Sequence, residues 1–413
     1  MPITLPLLAP SSATPNERDI KKAVTYIRNH WEVMEHLSPK DDGTLIGLPN
    51  RYIVPASPSE NFTFTEQYYW DSYFTSLGYN GEHGPDMIEG MLENLIHLYK
   101  RFNMIPTANR MYFTSRSQPP LLSSYIFHVY QTLDKSKEWL KHHIDIAIEE
   151  YNNVWMSTAH PHWHNINGLN RYYDINALHD LAEAESGWDM TTRFERKCLD
   201  FLPIDLNALL FKYETDFAHA AEVLGDEDAH IDWLEKAAIR HAKVDTLMWN
   251  ESKNSYFDYN YVKQAQSGVW SLAAYYPLWA GMASDEQAAS MAKHLSKFMK
   301  KGGLSSTTRP LVDMSIFGSI KTQWAYPNGW APLHYIATEG LERYGYHDQA
   351  KQVASAWIST NLTWFKQHGE FIEKYNVVSP TSPPKDGVYP SQSGFGWTNA
   401  IFVYYANKYF GIS

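Results

Sequence analysis

Helical periodicity recurs about a dozen times along this chain, and strand signals are nearly absent. Residues 16–36 open behind Pro15, with Asn16 placed as a capping side chain and Ile20, Val24, Ile27 and Trp31 at helical spacing. Further helical patterns run over 85–102, 119–133, 135–154, 206–224, 227–247, 264–283, 285–298, 329–346, 348–367 and 394–410. The clearest strand signal, Ser-Tyr-Phe-Asp-Tyr at 255–259, fits a hairpin inside a loop. This succession of helices predicts an all-α toroid, an inner ring of helices inside an outer ring. A solenoid of helical repeats is the alternative, and no sequence period supports it.

No Pro/Gly/Ser-rich linker divides the 413 residues, so one domain is expected over 16–413, after an N-terminal extension at 1–15. The extension is apolar but has no basic start, and Pro2, Pro6 and Pro10 break any helical signal core. No apolar run approaches a membrane span. A cytoplasmic chain without a membrane partner is therefore expected. Net charge is −11 with no basic stripe, which argues against nucleic acid. The single cysteine, Cys198, rules out an intrachain disulfide and a multi-thiolate metal site, and it reads as a small buried apolar residue. Nothing in the sequence calls for a cofactor, a metal or a second subunit, so a monomer is expected.

The loops at 60–73, 103–120, 160–193, 302–332 and 370–398 concentrate Trp, Asp, Arg, Asn and Gln. Polar and aromatic residues gathered in loops on a helical scaffold are a binding-site arrangement. Aromatics make up 15% of the chain, with 15 Trp and 28 Tyr, more than a core requires, and this points to a stacking cleft. Asp189 follows Glu-Ser-Gly-Trp, and Glu373 sits in Phe-Ile-Glu-Lys-Tyr-Asn. A poorly solvated carboxyl has its pKa raised and can act as an acid near neutrality, while indole and phenol rings stack on a pyranose. Two such carboxyls are the minimum equipment for hydrolysing a glycosidic bond. Taken alone, each also fits an acid at a helix end beside core aromatics.

Seven ordered segments resemble those of the trehalase family. Residues 66–74 (Glu-Gln-Tyr-Tyr-Trp-Asp-Ser-Tyr-Phe) and 323–332 (Gln-Trp-Ala-Tyr-Pro-Asn-Gly-Trp-Ala-Pro) look like its two signatures. The others are 115–120 (Ser-Arg-Ser-Gln-Pro-Pro), 185–189 (Glu-Ser-Gly-Trp-Asp), 203–207 (Pro-Ile-Asp-Leu-Asn), 373–375 (Glu-Lys-Tyr) and 394–399 (Gly-Phe-Gly-Trp-Thr-Asn). The resemblance implies an (α/α)6 barrel and an inverting α-glycosidase, typically acting on trehalose. It implies Asp189 as general acid and Glu373 as general base. It also implies a glucose pocket lined by Phe64, Tyr68, Trp70, Asp71, Asn109, Arg116, Gln118, Gly187 and Trp324. Arg171, in the segment Asn-Arg-Tyr-Tyr-Asp at 170–174, and Trp397 join the substrate-binding set. Trp324 is expected to wall the cleft.

Four departures from the family bear on substrate. Thr63 stands where the family has an arginine, and Ala325 replaces an aspartate. An insert carrying Arg-Pro-Glu-Ser is missing, since only residues 175–184 separate the segment at 170–174 from that of Asp189. A proline-rich stretch at 379–390 replaces a glycine-rich lid, with Val388 in place of a glutamate. Prolines narrow the accessible conformations, so this loop is expected to close less readily. Another small α-glucoside, such as a glucosylglycerate-type solute, is therefore the alternative to trehalose. A non-catalytic sugar-binding protein would be expected to lack one carboxylate. A metal hydrolase would have to use His142 and His143 or His160, His162 and His164, which read instead as solvent-facing or cleft-rim residues.

Overall fold

Asn16 accepts a hydrogen bond from the Arg18 backbone N–H at 2.9 Å and starts helix α1 (Glu17–Met34). A computed structural model describes residues 15–59, 63–310, 313–385, 387 and 389–413. Within them follow α2 (Tyr69–Ser76), α3 (Gly84–Phe102), α4 (Leu122–Thr132), α5 (Lys137–Glu150), α6 (His179–Glu185) and α7 (Ile204–Leu224). Then come α8 (Glu227–Met248), α9 (Tyr276–Ala280), α10 (Asp285–Phe298), α11 (Ala331–Arg343), α12 (His347–His368) and α13 (Gly396–Phe410).

Two kinds of helix explain the architecture. α1 is amphipathic and buries Ile20, Ala23, Val24, Ile27, Trp31 and Met34 along one stripe. By contrast, every residue of α2 is buried, and α13 buries the whole of 396–403. Helices of the second kind need neighbours on all sides. They form the inner ring: α4 packs on α7, α7 on α9, α9 on α11, α11 on α13 and α13 on α2. The seam between α2 and α4 is closed by the Tyr69 hydroxyl, which accepts from the Leu122 backbone N–H at 3.1 Å. Helices α1, α3, α5, α8, α10 and α12 lie outside. The result is an all-α (α/α)6 toroid, with strands limited to short hairpins in the connecting loops.

The sequence pattern misplaces two inner helices. The expected helix at 264–283 is reduced to α9 and the 3₁₀ turn Leu272–Tyr275, because Ala265–Gln266 pairs as a strand with Tyr259–Asn260. α2 forms where the sequence suggests a loop, since a helix buried on every side shows no apolar stripe. The strand signal at 255–259 does form a hairpin, in which Ser255–Tyr256 pairs with Trp249–Asn250. Cys198 is buried, as expected.

One buried cluster ties a site loop to the ring. Arg193 is fully buried and grips Asp205 with two hydrogen bonds of 2.8 and 2.9 Å, and Asp258 with two of 2.8 and 3.1 Å. Its guanidinium also lies 4.4 Å from the Trp188 ring centroid. Removing one partner of a buried ion cluster leaves uncompensated charge, so Arg193→Met is expected to lower the unfolding free energy by about 3–5 kcal/mol. Chemical denaturation checks this, and a loss under ~1 kcal/mol would remove Arg193 from that role.

Candidate active site

The five aromatic-rich loops form one collar at the mouth of the ring. Tyr68 bridges to Ala108, which joins the first loop to the second. Ile175 donates its backbone N–H to Ser115 at 3.0 Å, and Arg116 pairs with Asp174 at 3.3 Å, joining the second to the third. The Trp324 backbone N–H donates to Met190 at 3.1 Å, and strand Asn328–Trp330 pairs with strand Lys374–Asn376. The Trp397 and Trp70 rings, 5.7 Å apart, close the circle.

Tryptophans pack the floor of the collar. Trp324 stacks face to face on Trp330 at 3.7 Å and meets Trp188 at 5.7 Å, Trp70 at 5.6 Å and Trp397 at 6.0 Å. Gly187 makes this possible. Its φ of +74° suits glycine, and a Cβ there would come within 2.5 Å of the Trp70 ring. Asp189 comes two residues on, straight after Trp188, and so sits beside this apolar bed.

Three carboxyls face one another over that bed. Asp189 is half-buried, and its pKa is raised to about 7, first by desolvation and then by the charge of Glu373. Its own backbone hydrogen bond, Arg116 and Lys374 pull the other way. Asp71, in the first turn of α2, is pushed well above the usual range, first by desolvation and then by Glu373 and Asp189. Glu373 is 1% exposed and has both oxygens occupied. Oε2 accepts from Lys374 Nζ at 2.5 Å, and Oε1 accepts from the Tyr389 hydroxyl at 2.9 Å. Its backbone carbonyl is held by the Trp397 indole N–H at 3.2 Å. Tyr68 has its hydroxyl pKa raised, first by burial and then by nearby acids that include Asp71 and Asp189. Phe64 lies edge-on to Tyr68, 6.1 Å away.

Unpartnered polar atoms surround this space. Arg116 Nε, Gln323 Oε1 and Trp324 Nε1 are buried with no hydrogen-bond partner among the described residues. Gln323 meanwhile holds the Asp189 backbone carbonyl through its Nε2 at 2.7 Å. Buried donors and acceptors left over beside an open carboxyl are what a polyhydroxylated ligand would satisfy.

Asp189, Glu373, Asp71, Tyr68 and Arg116 are thus brought together, while other residues expected at the site hold protein partners. Asn109 is fully buried; it accepts from the Gln67 backbone N–H at 2.7 Å and donates to the Ile46 carbonyl at 2.6 Å. It pins a loop. Arg171 gives its guanidinium to the carbonyls of Trp163 and Leu199 and to the Tyr261 hydroxyl, and so also braces a loop. Gln118 accepts from the Trp70 backbone N–H at 3.1 Å. Trp324 is 1% exposed, a packed ring behind the site, not an open wall. Sequence cannot tell which way a ring faces. His143 and His164 are buried against Glu93 and Glu185, not solvent-facing.

The proline-rich loop lies down on the site. Asn328 clasps Lys385 through both backbone groups, at 2.8 and 2.9 Å, and Lys385 Nζ donates to Thr322 at 3.0 Å. A Cβ on Gly387 would come within 1.8 Å of Gln323 Oε1, so glycine permits this approach. Val388 and residues 60–62 lie outside the described residues. Thr63 is exposed and Ala325 buried. Among the described residues, no group of three or more His, Cys, Asp or Glu is placed to hold a metal, and no helix is long and apolar enough to cross a membrane. Lys374, Tyr389, Gln323 and Asn328 had no role assigned from sequence. The only signal was that they lie inside matched or lid segments.

The family model described as trehalase matches residues 10–185 and 177–409. A cytosolic neutral trehalase of Emericella nidulans is 31% identical over 87% of this chain, and one of Neurospora crassa is 32% identical over 90%. The chain spans 57% and 60% of the length of these curated relatives. Among solved structures, neutral trehalase Nth1 from Saccharomyces cerevisiae superposes with a TM-score of 0.75 at 30% identity, covering 90% of this chain and 76% of that one. A GH63 mannosylglycerate hydrolase from Thermus thermophilus in complex with glucose shares the fold, with a TM-score of 0.66 at 16% identity over 94% of this chain and 99% of its own.

In the ligand-free protein, Asp189 is expected to titrate near pH 7 in carboxyl-selective ¹³C NMR. Glu373→Gln removes the repelling charge and should move that midpoint down. A midpoint in the ordinary carboxylate range in the wild type would contradict a desolvated Asp189.

Proposed function

The chain belongs to the trehalase family, and we propose that it is an inverting α-glycoside hydrolase that cleaves α,α-trehalose into two glucose molecules. The observation that carries this reading is the unequal pair of carboxyls: Asp189 holds its proton to about pH 7, while Glu373 is clamped by an ammonium and a phenol. That inequality is what a general acid and a general base require.

Asp189 would protonate the bridging oxygen as the anomeric C–O bond breaks. Glu373 would take a proton from a water attacking the opposite face, so the attacked sugar leaves as β-glucose and the other as α-glucose. A gap on the order of 6.5–9.5 Å between the two carboxyls accommodates that water. Arg116 would donate from its unpartnered Nε to a sugar hydroxyl, and Asp71 would accept from another. Phe64 and Tyr68 offer ring faces at the rim. Two carboxyls supply both proton transfers, so the scheme calls on no cofactor. The relatives named as cytosolic trehalases support a cytosolic setting.

A second substrate is favoured by one observation. The family's Arg-Pro-Glu-Ser insert is missing, with only residues 175–184 between the segment at 170–174 and that of Asp189, so the region that would grip the leaving sugar differs from the family pattern. Another small α-glucoside, such as a glucosylglycerate-type solute, is the corresponding reading. Glucose release from trehalose, kojibiose, maltose, sucrose and glucosylglycerate separates the two, and trehalose is expected to lead.

Asp189→Asn and Glu373→Gln are each expected to lower turnover by about 10³-fold or more without unfolding the protein. Activity near wild type in either variant removes that residue from its role. NMR of fresh hydrolysate should show one β- and one α-glucose per trehalose; two α products would exclude inversion. Activity should fall as pH rises through about 7, where Asp189 loses the proton it must donate.

A further inference from the structure

Asp71, Asp189 and Glu373 converge in a poorly solvated space with very little positive charge to balance them. Arg116 reaches Asp189, but it is already paired with Asp174 at 3.3 Å. Lys374 is the cation in direct contact with one of the three. Its side chain is fully buried, with Nζ 2.5 Å from Glu373 Oε2, 5.1 Å from the Trp330 ring centroid and 5.7 Å from that of Tyr389. The ammonium thus has a carboxylate on one side and aromatic rings on two others.

We propose that Lys374 is a positioning residue that sorts the protons of this site, fixing Glu373 as the ionised member of the three acids and leaving the proton on Asp189. One cation in contact can neutralise one carboxylate. The other two are raised first by desolvation, against their own backbone hydrogen bonds, and then by the charge of Glu373, with the more distant Lys374 charge only a late, opposing cause at Asp189. Without Lys374, Glu373 would keep only the neutral hydroxyl of Tyr389, while Asp189 would keep its backbone hydrogen bond and the charge of Arg116. The acid and base roles would then be assigned weakly. Lys374 contacts the carboxylate of the base and acts through Glu373. The proposal rests on the hydrolase reading for its kinetic consequence, and on the ion pair alone for its electrostatic one.

The groups that bear on Glu373 are Asp71 from α2, Asp189 from the loop after α6, Lys374 beside it and Tyr389 from the proline-rich loop. Removing the cation leaves Glu373 buried beside two acids with only the Tyr389 hydroxyl in contact. The acid limb of kcat/KM should therefore move to higher pH in Lys374→Met, by about 1–3 units for a contact this close. Lys374→Arg keeps the charge and should hold the limb near its wild-type position, even if turnover falls. Tyr389→Phe removes a neutral donor and should shift the limb less than Lys374→Met does. A space-filling role for Lys374 would lower activity at every pH and leave both limbs in place, and that result overturns the proposal. Carboxyl ¹³C titration of Glu373, assigned with Glu373→Gln, gives the same comparison without substrate, using Lys374→Gln if the methionine variant does not fold. An unchanged Glu373 midpoint in the Lys374 variants refutes the sorting role. Failure of the wild-type protein to hydrolyse any glycoside strikes the hydrolase reading, and the titration still decides this one.

Discussion

A carboxyl set on packed indoles cannot ionise cheaply, and the arrangement of the whole mouth follows from that constraint. Water is the normal stabiliser of a carboxylate, and the bed formed by Trp70, Trp188, Trp324, Trp330 and Trp397 withholds it from Asp189. The rings must pack closely to do so, which requires the absence of a side chain at Gly187. The loop carrying Asp189 must also be held against them, and Arg193 supplies this by reaching to Asp205 at the start of α7 and to Asp258 in a neighbouring hairpin loop. The scaffold thus contributes to chemistry by fixing what surrounds one oxygen pair. Strength of binding is a separate matter, carried by the loops above.

The double ring of helices was legible because outer helices are half-exposed. Their apolar residues fall on one face, as Ile20, Val24, Ile27 and Trp31 do in α1, and that spacing survives in the sequence. The inner ring is harder to read. α2 is short, aromatic and buried on all sides, so its burial erases the stripe by which a helix is recognised. The stretch at 264–283 fails for the opposite reason: its apolar residues suit a helix, but tertiary pairing takes its start into a strand.

The site divides along similar lines. Asp189 and Glu373 stood out because short segments of unusual composition surround them, and Arg116 because it lies in such a segment. Asn109 and Arg171 lie in comparable stretches, yet they hold backbone groups and, for Arg171, the Tyr261 hydroxyl. Composition cannot separate a side chain that awaits a ligand from one that braces a loop; only the count of its partners can. Lys374 carries no signal of its own, because a lysine beside a glutamate is ordinarily a solvated neighbour. Its complete burial is what gives it meaning, and burial is a property of the fold.

Everything in this account requires a proton donor and a water-activating carboxylate on opposite sides of one sugar. A crystal structure with a non-hydrolysable trehalose analogue tests it most directly. The account predicts the bridging atom within hydrogen-bond reach of Asp189, and a water held by Glu373 on the far face of the ring, with the carboxyls separated by roughly 6.5–9.5 Å. A sugar bound elsewhere, or both carboxyls on one face at about 5–5.5 Å, would contradict it.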